Sequence, residues 1–267
     1  MYELESWQRN PKIVHLNTIQ YFPEDILITA FSWHPESFMV GMALSNGQVH
    51  LGIVDPEDDS PSTMEVARHE LEAWTLAFLP DASGVLSGGD DSTLRFAELA
   101  DDTATRVPWT DRKTHGAGVT AILPIHQDND GSLVVTGGYD DHIRFLHLAT
   151  AGQRKSLAEA NLGGGVWRLK LLQRRPMLPA HHGVAKWRAE PPPEDIMLLV
   201  SCMHAGSRVV RLSKSATKEW RFEVLAKFEE HKSMNYGSDC QPDLNDKGQR
   251  TFITTSFYDR MLCLWRY

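Results

Sequence analysis

The chain is poor in cysteine. Its 267 residues hold only three. Cys202, Cys240 and Cys263 are too few and too scattered for a disulfide framework or a zinc site, so a cytoplasmic location and no bound metal are expected. It also lacks any uncharged apolar run of about 18 residues, the length a membrane-spanning helix needs. The N-terminal "MYELESWQRN" carries acids where a secretory signal has a basic and then an apolar stretch. No membrane association is expected. Basic charge is short as well: 27 Lys and Arg against 35 Asp and Glu leave a net charge of −8. That balance argues against a nucleic-acid partner and favours a cationic one. What the chain does have is apolar content, 42% of its residues, enough for the core of one large domain.

The apolar residues fall into a repeat. Five segments, "FMVGMALSNGQVHLGIVD", "SGVLSGGDDSTLRFAEL", "SLVVTGGYDDHIRFLHL", "IMLLVSCMHAGSRVVRL" and "RTFITTSFYDRMLCLWRY", each join an apolar strand to another through a tight polar turn. Aligned on that turn, Asn46, Asp91, Asp140, Ala205 and Asp259 coincide, recurring at roughly 45–65 residues. Short strands rich in Val, Ile, Leu and Phe, with Gly-Asp-Ser turns at this period, mark an all-β propeller. Blades are read at about 24–58, 65–100, 113–150, 160–215 and 224–267, with 1–23 as the remnant of a preceding blade. A Pro-rich, mixed-charge stretch at 173–195 reads as a surface insertion in the fourth blade. Its paired His181 and His182 have no third ligand nearby and are read as solvated. Histidines precede three of the turns: His69 before Asp91, His115 before Asp140 and His231 before Asp259. Each His is expected to hydrogen-bond its turn Asp and lock the loop, a structural and not a catalytic role.

One stretch departs from the pattern. In "GGGVWRLKLL", three glycines run straight into Trp167 and Arg168. In a propeller, the turn between second and third strands and the loop leading into the first strand open on one face, around the central channel. That places Glu72, Trp74, Gly118, Gly163–Arg168 and Tyr236–Asp239 on one rim. Asp90, Tyr139, His204 and Tyr258 stand at equivalent turn positions there. Glycines at a rim are expected to admit a ligand close to the backbone. The competing reading is that Trp167 packs between blades and the glycines relieve crowding.

The chain resembles WD-repeat proteins, although the naming Trp survives only at Trp265. Within them, "HELEAWTLAF", "TGGYDDHIRFLHL", "GGGVWRLK", "SCMHAG", "NYGSDC" and "TTSFYDRMLCLWRY" are similar to the motif series of the diphthine methyl ester hydrolases, WD-repeat proteins of the diphthamide pathway. The resemblance runs from about residue 26 to the end, in order. Cys240 stands where that family tends to have Trp. The family's propellers usually carry seven blades; five plus a remnant strand, "KIVHLNTI", are legible here, so a short N-terminus and unpaired strand edges are expected.

The resemblance implies hydrolysis of the methyl ester on the modified histidine of translation elongation factor 2, yielding diphthine, by a monomer that needs no cofactor. The implied substrate carries a quaternary trimethylammonium group, which cannot donate hydrogen bonds and is held best by aromatic faces. Trp74, Tyr139, Trp167, Tyr236 and Tyr258 are the available rings; Glu72, Asp90 or Asp239 would add negative charge, and Arg168 stands beside Trp167. Ester cleavage needs a base and oxyanion donors. His204 is the only imidazole at its turn position and has no turn Asp beside it, which makes it the candidate base. Ser238 is a candidate nucleophile next to Asp239, but the G-x-S-x-G elbow is absent, so attack by water stays equally open. Cys202 and Cys240 rank lower, since isolated strand cysteines are usually buried and inert. The alternative from a different class is a non-catalytic WD-repeat scaffold whose rim binds a protein partner.

Overall fold

The computed structural model describes residues 2–5, 12–15, 18–55, 61–99, 108–150, 152–172 and 192–267. These form strands, turns and loops; none of them forms a helix long and apolar enough to cross a membrane. Strands β1 (Tyr2–Glu5) and β2 (Lys12–His15) pair as a two-stranded antiparallel sheet that includes part of the expected remnant. Five further antiparallel sheets follow in chain order. The first is β3 (Ile28–Trp33), β4 (Met39–Leu44), β5 (Gln48–Ile53) and β6 (Thr63–Arg68). The second is β7 (Ala73–Phe78), β8 (Gly84–Gly89), β9 (Leu94–Glu98) and β10 (Trp109–Asp111). The third is β11 (Val119–Gln127), β12 (Gly131–Gly138), β13 (His142–Ala149) and β14 (Arg154–Asn161). The fourth is β15 (Arg168–Leu171), β16 (Asp195–Ser201), β17 (Ser207–Lys214) and β18 (Trp220–Phe228), and the fifth is β19 (Asn235–Leu244), β20 (Arg250–Ser256) and β21 (Leu262–Arg266). Within each sheet every strand pairs with its chain neighbour. Most of the insertion expected at 173–195, with His181 and His182, lies outside the described residues.

Successive sheets pack face to face: β3 and β4 against β7, β7 and β8 against β11, β11 against β15, and β15 and β16 against β19. Burial falls from the inner to the outer strands. All six residues of β8 are buried, whereas β14 and β18 are mostly half-buried or exposed. Small residues in the second strands make this close stacking possible. A Cβ on Gly41, Gly88 or Gly137 would lie 2.4, 2.6 or 2.1 Å from Leu76, Val119 or Val166 of the following blade. The branched side chain of one blade thus fills the space a glycine leaves in the blade before. Apolar clusters sit at each junction, with Phe145, Val166 and Leu198 between the third and fourth sheets. The most exposed large apolar side chains belong to the outermost sheets and their loops: Phe31 at 66% and Phe38 at 84% in the first, Leu262 at 63% and Leu264 at 68% in the last. These are the two outer faces of an arc of blades.

The aligned turn positions coincide. Each lies between the second and third strands of its sheet, and the next residue is left-handed every time: Gly47 (φ 86°), Ser92 (59°), Asp141 (62°), Gly206 (78°) and Arg260 (53°). The expected His–Asp locks need correction. His69 Nδ1 does bond Asp91 Oδ1 at 2.9 Å, but the bonds made by His115 and His231 go to threonines, Thr136 at 2.9 Å and Thr254 at 2.8 Å. What the three sets share is a backbone contact. The N–H after each histidine donates to the turn carboxylate: Glu70 to Asp91 at 3.0 Å, Gly116 to Asp140 at 2.8 Å and Lys232 to Asp259 at 2.9 Å. The carboxylate fastens the loop, and the imidazole bonds a hydroxyl on the second strand, Ser87, Thr136 or Thr254. Burial alone would raise the Asp91 carboxyl, but hydrogen bonds from Thr93, the Glu70 backbone and His69 bring it down to about 2.

Candidate functional site

The first strand of four blades carries the same irregularity. The pairing skips one residue between Ile28 and Ala30, Ala73 and Thr75, Val119 and Ala121, and Asn235 and Gly237. The residues left out of the ladder are Thr29, Trp74, Thr120 and Tyr236. A bulge re-aims the side chain it frees. Trp167 occupies the matching place in the fourth blade, directly after Val166, which packs against Gly137 as Val119 packs against Gly88. Two of these five residues are threonines that donate to the next blade's backbone, Thr29 to the Ala73 carbonyl and Thr120 to the Val166 carbonyl. The other three are aromatic.

Those aromatics meet. Trp167 lies 5.6 Å from Trp74, 4.9 Å from Tyr236 and 6.1 Å from Tyr139, the last at the turn of the third blade. Rings from the second, third and fifth blades therefore converge on Trp167 of the fourth, and all four are half-buried. Phe257 extends the series, 6.1 Å from Tyr236. Tyr258, the fifth ring expected at the rim, is 72% exposed and touches Phe257 instead. Phe257 is itself 64% exposed, so both rings of that turn lie at the outer end of the series.

Charge is divided around the rings. Asp90 accepts a hydrogen bond from the Trp74 indole at 3.3 Å, and its backbone N–H donates to the Glu72 carbonyl at 2.8 Å. Gly118 is the spacer: a Cβ there would lie 2.8 Å from the Tyr139 ring and 2.9 Å from Asp90 Oδ1. Burial, then the charges of Asp90 and Glu72, push the Tyr139 phenol up to about 12, with Arg168 opposing. It stays protonated at neutral pH. The Arg168 guanidinium stacks 4.9 Å from the centre of the Trp167 ring and donates to the Trp167 carbonyl at 2.9 Å.

The glycines do something other than admit a ligand. Gly164 and Gly165 are buried, and Cβ atoms on them would fall 2.3 Å from the Cys202 carbonyl and 2.6 Å from Met203 Sδ. They let the chain lie flat on the fourth blade's own turn, which corrects the open-space expectation; only Gly163, left-handed at φ 82°, faces outward.

His204, Ser238 and Asp239 are not joined to one another by any contact among the described residues. His204 is exposed and hydrogen-bonds to none of them. Ser238 Oγ lies 2.7 Å from Ser201 Oγ, and Asp239 pairs with Lys170 and accepts from the Cys240 N–H at 2.6 Å. Cys202 is buried, and burial pushes its thiol up to about 12, which leaves it inert.

Residues 62–96 and 109–145 match the family described as WD domain, G-beta repeat. The chain carries WD40 repeats. Solved structures agree on the fold: the WD40 beta propeller domain of Doa1, at TM-score 0.52 and 16% identity, covers 90% of this chain and 69% of that one. A Chaetomium thermophilum Sqt1 bound to the N-terminus of the ribosomal protein L10, at TM-score 0.62 and 15% identity, covers 99% and 65%. Among curated proteins, the chain is 28% identical to a diphthine methyltransferase of Schizosaccharomyces pombe over 97% of its own length and 69% of the relative's. It is 32% identical to proteins of the same name from Saccharomyces cerevisiae and Homo sapiens, over 74% and 73% of its length. It spans only 49% and 38% of those two. These names correct the expectation of methyl-ester hydrolysis. The relatives are named for transfer of a methyl group, not for cleavage of an ester; diphthine is the part common to both.

Proposed function

We propose that this rim binds diphthine, and that the chain works in the cytoplasm in diphthamide biosynthesis, on elongation factor 2, within the methyl chemistry for which its relatives are named. The observation that carries the reading is the convergence of Trp74, Tyr139, Trp167 and Tyr236 from four blades, with ring centres 4.9–6.1 Å from Trp167. A trimethylammonium group offers no hydrogen and a diffuse positive charge, so ring faces hold it better than carboxylates alone. Glu72 and Asp90 supply negative charge nearby, and the Glu72 carboxylate has no side-chain partner among the described residues. The net charge of −8 suits a cationic ligand at longer range.

A desolvated cation–π contact contributes about 2 kcal/mol, or about 30-fold in affinity. The test is calorimetric titration of the full chain with elongation factor 2 carrying diphthine, and with the unmodified factor. The modified factor should bind at least tenfold more tightly, and Trp167→Ala should remove most of that difference. Equal affinity for both forms would sink the reading and leave a scaffold that binds the protein without reading its modification.

A further inference from the structure

Arg168 is placed unlike the other arginines sunk into the blades. Arg95, Arg144 and Arg208 lie 3.7, 2.7 and 2.7 Å from carboxylates of Asp91, Asp140 and Glu229. Arg168 is half-buried and has no carboxylate within ion-pair distance among the described residues; its one hydrogen bond goes to the carbonyl of Trp167. Its guanidinium carbon nevertheless sits over the indole on which the ring cluster converges, 4.9 Å from the ring centre. Five N–H donors in a planar fork, one of them used, form a receptor for a pair of oxygens. Packing explains the stack on Trp167 but not the missing counter-charge, because a desolvated cation without an anion is costly to hold.

We propose that Arg168 binds the carboxylate of the ligand whose quaternary nitrogen the ring cluster holds, so that the rim recognises an α-trimethylammonio carboxylate as one unit. The inference rests on the diphthine reading above and sharpens it, because the diphthine side chain bears its trimethylammonium and its carboxylate on one carbon. The rim holds partners for both groups: the rings with Glu72 and Asp90 for the quaternary cation, and the Arg168 guanidinium over Trp167 for the carboxylate. A rim of rings and acids alone would accept any quaternary amine, and Arg168 makes it selective for a zwitterion.

The test uses small probes on the full chain, titrated by NMR: tetramethylammonium, which offers the cation only; glycine betaine, which adds a carboxylate; and betaine methyl ester, which keeps the oxygens and loses their charge. Wild-type protein should bind glycine betaine at least tenfold more tightly than tetramethylammonium, with the ester in between. Arg168→Gln should abolish that preference while leaving tetramethylammonium affinity within about twofold, and Arg168→Lys should retain part of it. If tetramethylammonium binds and glycine betaine binds no better, the role of Arg168 is refuted while the aromatic site stands. If no probe binds, both fall. If Arg168→Gln weakens both probes equally, the guanidinium only props Trp167, and the proposal is overturned. The wild-type series decides the selectivity even should the variants fail to fold.

Discussion

Asp140→Ala offers the sharpest check on how the blades are fastened. Its carboxylate accepts from both Arg144 terminal nitrogens, at 2.7 and 3.0 Å, and from the backbone of Gly116 at 2.8 Å and of His142 at 3.2 Å. The side chains are 12% and 7% accessible, so the pair is nearly dry. Truncation leaves four donors without their acceptor and a buried guanidinium without its closest anion. Breaking a buried pair from one side costs about 3–5 kcal/mol. Arg144 keeps Glu159 at 3.2 Å, but that carboxylate is 45% accessible and offsets little. The expected loss is therefore about 3 kcal/mol, near the lower limit, or about 6–12 °C in Tm for a domain of this size. Urea and thermal melts of wild type, Asp140→Ala, Asp140→Asn and the double variant Asp140→Ala with Arg144→Met measure it. Asn keeps acceptor geometry and should lose about half as much. The double variant should recover stability, because it removes the orphaned charge. A loss under about 1 kcal/mol, or a double variant worse than Asp140→Ala alone, would refute the argument that charge burial sets the cost.

Acid should destabilise the fold in two stages. Burial, then the charge of Arg144, pull His115 down to about 4. The unfolded chain therefore takes up protons the folded one refuses; stability is full above about pH 6.5 and falls towards pH 4. His115→Gln should flatten that part of a Tm-against-pH curve, and an unchanged slope would contradict it. The depressed Asp91 carboxyl contributes stability above about pH 4 that is lost as pH falls towards its folded value of about 2. Gly137→Ala places a Cβ 2.1 Å from Val166, and overpacking there should cost about 1–3 kcal/mol; a denaturation midpoint equal to wild type would show that the blades can slide apart.

The repeat was readable because each blade spends its turn in the same way. Asn46, Asp91, Asp140, Ala205 and Asp259 differ in chemistry, yet all precede a left-handed residue between the second and third strands. Hydrophobic alternation and Gly-Asp turns report that directly. Most of the rim was readable for the same reason: once the turns are aligned, Trp74, Tyr139, Trp167 and Tyr236 must face one opening. Three things were not legible. That Phe257 makes the ring contact with Tyr236 depends on side-chain directions within a turn where both Phe257 and Tyr258 are exposed, and a single strand register cannot say. The packing role of the glycines before Trp167 is hidden because sequence shows permissive backbone without showing what lies against it, here the turn at Cys202–Ala205. The reaction is implied only by a family resemblance, and among the described residues no contact between His204 and either Ser238 or Asp239 supports it.

The bulge position explains why this rim is chemically unusual. At that place in the first and third blades a threonine donates to the neighbouring blade's carbonyl, a bond that ties one blade to the next. A typical hydrogen bond of this kind contributes about 1 kcal/mol net. The second, fourth and fifth blades have Trp74, Trp167 and Tyr236 there instead, and the second and fourth, which have a following blade, give that staple up. These aromatic rings recover some energy by packing on one another, yet all three stay only half-buried. Stability alone would favour threonine at the four places that face a following blade, since the small hydroxyl fits the bulge and closes the junction. Aromatics in its stead, with Glu72, Asp90 and Arg168 close by and Arg168 without a carboxylate partner among the described residues, are positions where local fold logic is broken for little structural gain. Such breaks are where function is expected, and here the chemistry they gather, ring faces with charges of both signs, is that of a zwitterionic quaternary amine.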